Sequence, residues 1–202
     1  MKEIFDMTTF NARRGVFRIL FVAAVLAPLT MGAPLVAQQP KVNPDAATIA
    51  DFMKRVDAYV AVHKKVDGML QEPSRDGRPE AVVEHQRAFA KLMEKERPGA
   101  KPGDIFTKPM RNVIRRLLAG VFRGPNGRQI KSSILDEYTG NFVVRVNAPY
   151  PENMPFSSVP PQILQGLPNL PEPLAYRFAG PRLILLDPHG RLIVDVVEKV
   201  FP

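Results

Sequence analysis

Two of the three histidines in this 202-residue sequence stand where paired imidazoles could work together. His63 follows Val60 by three residues and precedes Val66 by three, while His85 follows Val82 by three and precedes Phe89 by four. Each therefore falls on the apolar stripe of a helix. If the chain turns about Ser74, the two positions are equally far from the turn and their rings face each other. Facing neutral imidazoles hold a transition metal or ligate haem non-covalently. Glu80 and Glu84 are near enough in sequence to add oxygen ligands, although Glu84 points to another side. The plainer alternative is a pair of partly buried histidines satisfied by hydrogen bonds or water.

The third histidine, His189, stands beside a carboxylate in Asp187-Pro188-His189-Gly190. A carboxylate can orient an imidazole for acid-base work. The same four residues also have the composition of a β-turn, with the aspartate side chain satisfying local backbone donors, and this is the stronger reading. The sequence contains no Gly-x-Ser-x-Gly, no His-Glu-x-x-His, no phosphate-binding loop and no dinucleotide-binding glycine pattern. Catalysis has no motif to recommend it.

The other chemical asymmetry is charge. The chain carries a net +8, and no acid occurs between Asp104 and Asp136, a window holding Lys108, Arg111, Arg115, Arg116, Arg123, Arg128 and Lys131. Uncompensated cations attract anionic lipid, cell-envelope polysaccharide or an acidic protein surface. Nucleic acid fits less well, because stacking aromatics are not interleaved with the charges. The leading expectation is a non-catalytic binding domain that uses Lys108, Arg111, Arg115 and Arg116. A metal- or haem-binding protein centred on His63 and His85 is the alternative.

These residues need elements to position them. Apolar residues at three- and four-residue steps predict helices over residues 45–70, 79–97 and 107–122, the first two forming a hairpin and the third capped by Thr107. Residues 132–138 read as a short helix or a loose connection. Beyond them the pattern turns to β: strands are predicted at Phe142–Val146, Leu174–Phe178, Arg182–Leu186 and Arg191–Val197, with a proline-rich connection between the first two that has room for one short helix near 162–166. The expected fold is α+β, three helices packed on a small C-terminal antiparallel sheet.

Val146-Asn-Ala-Pro-Tyr-Pro151, Leu167-Pro-Asn-Leu-Pro171, Tyr176-Arg-Phe-Ala-Gly180, Leu183–Asp195 and Gly99–Thr107 together resemble a recurring group of exported bacterial proteins of unknown function. The resemblance implies no activity and no functional residue.

Residues 1–37 read as an export signal: a polar start with Arg13, Arg14 and Arg18, an uncharged apolar run from Ile19, then small residues ending at Ala37. Pro28 and Pro34 argue against an uncleaved anchor. Arg13-Arg14 also resembles the twin-arginine export motif. The expected product is a single domain of residues 38–202, periplasmic or secreted. The chain has no cysteine, so disulfides, lipid attachment at cysteine and thiolate metal ligands are excluded.

Overall fold

The computed structural model describes residues 43–71, 78–138, 140 and 142–202; the export segment read at 1–37 lies outside them. Among the described residues, five helices and four strands follow in order: α1 (Ala46–Asp67), α2 (Pro79–Glu96), α3 (Lys108–Arg123), α4 (Gly127–Asp136), β1 (Ala148–Pro149), a one-turn α5 (Pro161–Leu164), β2 (Ala175–Ala179), β3 (Arg182–Asp187) and β4 (Leu192–Val197). The sheet is antiparallel throughout, in the order β1-β4-β3-β2. The fold is α+β, as the sequence pattern predicts.

β3 and β4 explain the architecture. Leu183–Leu186 and Leu192–Val194 are apolar runs rather than alternating ones, and such strands need cover on both faces. Leu183, Leu185, Leu192, Val194 and Val197 join a core built with the helices. Ile184, Leu186, Ile193 and Val196 face the other way, against Tyr150, Phe142, Val144, Val146 and Phe156. The second cover is where the expected strand at Phe142–Val146 departs from prediction. Its period of two is real, with residues 142, 144 and 146 half-buried and Val143 79% exposed. The segment uses that period to cover a sheet face instead of extending the edge, and only Ala148 and Pro149 pair with β4.

In α1 the buried positions are Phe52, Val56, Tyr59, His63 and Val66, alternating steps of four and three that keep one stripe against the core. α2 buries Phe89, Ala90 and Met93, whereas Val82, expected in its stripe, is exposed. Thr107 occupies the position before α3 but makes no side-chain capping bond. α4 resolves the choice at 132–138 in favour of helix, beginning earlier than expected at Gly127. There a Cβ would lie 1.9 Å from the Phe122 carbonyl oxygen, so only glycine allows this approach.

The pairing of β3 with β4 shifts between Leu185 and Leu186. A bulge of this kind re-aims one side chain, and here that side chain is Asp195. Fully buried, its carboxylate accepts N–H bonds from Gly103 (2.9 Å), Ile105 (2.8 Å), Phe106 (2.7 Å) and its own neighbour Val196 (2.7 Å). One aspartate thus holds the loop that leads into α3. Asp195→Ala leaves these donors without their acceptor, at about 1–3 kcal/mol for each one that stays buried and unsatisfied. The expected loss in a denaturant titration is at least about 3 kcal/mol; a loss below about 1 kcal/mol would contradict this role.

Candidate metal centre

Asp187 ends β3 and is fully buried. One of its oxygens, Oδ2, accepts the Tyr59 hydroxyl at 2.7 Å and lies 2.7 Å from Nδ1 of His63; Oδ1 accepts the His189 backbone N–H at 3.0 Å. The last bond is the local turn contact that the sequence predicts. The first two join α1 to the sheet across more than a hundred residues of chain. With its proton on Nδ1, where Asp187 accepts it, His63 presents the lone pair of Nε2 on the other side of the ring.

Positive φ falls on Arg191 (φ 45°), not on Gly190. Glycine is needed at 190 because an added Cβ would meet Phe89 Cδ1 at 2.3 Å. That close approach seats the turn on α2 and sets the direction of His189.

The sequence reading pairs His63 with His85, but His189 stands between them. Its ring centroid is 5.3 Å from that of His63 and 5.2 Å from that of His85, both edge-on. The ring facing His63 from α2 is Phe89, at 4.8 Å, one helical turn beyond His85. Phe89 also contacts His189, at 4.9 Å. His189 Nε2 lies 3.1 Å from Asp67 Oδ1. One ligand atom from each of His63, Asp67 and His189 falls within 4.8 Å of the others, His63 buried and the other two exposed. Glu80 and Glu84 are exposed and take no part.

His63 and Asp67 are four residues apart on one helix, a spacing visible in the sequence that places both on one face. His189 carries no such signal. Its turn role conceals it, because backbone N–H and side chain of the same residue do separate work.

The basic face of α3 is divided. Arg116 pairs with Asp45 at 2.5 Å, and Arg115 donates to the Glu198 carbonyl oxygen at 3.0 Å. Lys108, Arg111 and Arg115 line a cleft of about 270 Å³ with Pro102, Asn112, Val196 and Glu198. The Glu198 carboxylate is turned to Arg182, 2.9 Å away. The structure therefore brings Lys108, Arg111 and Arg115 together and separates Arg116 from them.

No protein-family model matches this sequence, and no curated protein or solved structure is significantly similar to it. The geometry alone carries the functional reading.

Tyr59 makes the site's burial measurable. Burial, then the charge of Asp187 and the hydrogen bond to it, hold the Tyr59 hydroxyl far above its ordinary range. Burial alone raises Tyr176 as well. A tyrosine whose pKa is raised by folding stabilises the fold at every pH below its unfolded value, about 10, and that contribution is lost as pH rises beyond it. At about pH 11, while circular dichroism still reports native protein, wild type and Tyr59→Phe are expected to show equal tyrosinate absorbance. A larger signal from wild type would mean that Tyr59 ionises in the folded state.

Proposed function

We propose that the protein is exported and binds a divalent transition metal through His63, Asp67 and His189. The observation that carries the reading is the convergence of one ligand atom from each residue, with buried Asp187 bonded to Nδ1 of His63. Metal-ligating histidines ordinarily donate their other ring N–H to a carboxylate, which fixes the ring and makes the free nitrogen a better donor. Two imidazoles and one carboxylate favour zinc, copper, nickel or cobalt over magnesium or calcium. With three protein ligands, a tetrahedral ion keeps one position for solvent. Asp67 and His189 lie open to solvent, so an ion reaches the set without rearrangement of the core.

His85 supports the site from α2 as the nearest further imidazole. Haem suits this geometry less well. A macrocycle held between His63 and His85 needs a slot, and His189 and Phe89 fill the space between them. Export rests on the charged start and apolar run of residues 1–37, and it places the domain in the periplasm or outside the cell.

Cobalt added to the chelator-treated protein should give a visible ligand-field spectrum, and zinc should displace it. His63→Ala and His189→Ala should each abolish the spectrum, and Asp187→Asn should weaken zinc about 10- to 100-fold as the loss of an outer partner. A protein that binds neither ion below about 100 μM overturns the reading. Mass spectrometry of the protein recovered from the periplasm or medium should show a chain starting at Gln38.

A second reading is favoured by the cleft that gathers Lys108, Arg111 and Arg115: this face contacts an anionic lipid, polysaccharide or acidic protein surface. Adhesion to vesicles rich in phosphatidylglycerol should then fall steeply with salt and vanish in the triple glutamate variant. Salt-independent adhesion by that variant sinks it.

A further inference from the structure

A cleft of about 630 Å³ lies elsewhere, where the end of α2 and the turn at Pro98–Ala100 meet residues 145–149. Two arginines line it, Arg97 and Arg145, with Glu94 the only acid, exposed on the same lining. Among the described residues neither arginine pairs with a carboxylate. The Arg97 guanidinium lies 5.0 Å over the Tyr59 ring, and its one hydrogen bond is a long one, 3.4 Å, to Asn147 Oδ1. A guanidinium has five N–H donors, so most of this fork is uncommitted.

Its surroundings do not complete it. Asp104 and Asp195 favour its charge from nearby, yet both carboxylates are committed to backbone N–H groups. Burial, the largest influence on Arg97, lowers its pKa. A cation partly withdrawn from water without a paired anion is a costly arrangement that a bound anion offsets. Asn147 is held in the left-handed region at φ 61° by its N–H bond to Ile193 O, which keeps its amide beside Arg97.

We propose that this cleft binds a small organic carboxylate, with the planar Arg97 fork on the carboxylate and Arg145 supplying a second positive charge. A planar carboxylate matches a guanidinium edge, and an arginine fixed on an aromatic face loses little freedom in making the contact. The carbon skeleton has Pro98, Ala100, Val146 and Pro149 to lie against. A bare inorganic anion gains nothing from these few apolar groups. The cleft is separate from the metal ligands, and the inference does not rest on the metal reading.

The test is calorimetry, with NMR of the arginine side chains, on the full chain treated with chelator so that failure of the metal proposal leaves it intact. The probes are succinate, N-acetyl-alanyl-alanine and inorganic phosphate. At least one carboxylate should saturate with Kd near 1 mM and shift Arg97 Nε–H. The tighter of the two tells a free acid from a peptide C-terminus. Arg97→Lys keeps the charge over Tyr59 but loses the fork, and should weaken binding about tenfold. Exposed Arg145→Gln should weaken it several-fold with an unchanged unfolding midpoint. Phosphate binding tighter than either carboxylate, no saturation by about 10 mM, or wild-type affinity in both variants overturns the proposal.

Discussion

A charge as deeply buried as Asp187 is tolerated only when its oxygens are met by donors, and this requirement organises the molecule. Tyr59 and His63 of α1 meet one oxygen and the turn after β3 meets the other. Those bonds fix the position of α1 along the sheet to within a fraction of a helical turn, because a shift of one residue would carry both side chains away from the carboxylate. Once α1 is placed, the His63 ring lies against His189 of the turn, and the turn, pressed on Phe89 through Gly190, positions α2. Hydrophobic burial supplies most of the driving force for folding, but it is non-directional. The aspartate supplies the direction.

Asp195 does comparable work on the other strand of the same hairpin. Asp187 gathers side chains from a helix, whereas Asp195 gathers backbone donors from a loop. Apart from Arg182 at the start of β3, both sit on strands that are otherwise apolar, and each of the two aspartates marks a place where the sheet is bonded to something outside itself. The contrast also separates structure from site. Asp195 has its oxygens filled by main-chain N–H groups and presents nothing to solvent, while one donor to Asp187 is a histidine whose second nitrogen remains free.

Much of this was legible in the residues. The periodic stripes of α1 and α3, the strands on either side of Asp187-Pro188-His189-Gly190 and the α+β class all follow from spacing and turn chemistry, which are local. The departures are non-local. Phe142–Val146 has the alternation of a strand, but alternation reports a chain with one buried side, and whether that side covers a face or joins an edge is settled by distant residues. The apolar stripe of α2 was read too far toward its start because Val82 has no partner there. At the site, the apolar stripe of α1 singled out His63, while Asp67, four residues on along the same helix, went unread although its spacing is local. His189 and Arg97 had no such local signal. The position of the first depends on a turn meeting a helix a hundred residues away, and the exposure of the second depends on which carboxylates the fold commits elsewhere.

The bond between Tyr59 and Asp187 spans 128 positions of sequence. A chain that emerges residue by residue presents the apolar stripe of α1 long before residues 182–197, against which that stripe packs, have been made. Contacts so distant close late and fold slowly, and until then α1, α2 and α3 have only one another to pack against while Tyr59 and His63 lack their acceptor. The order of synthesis and the order of folding are therefore opposed. The part made first waits longest for its buried polar partner.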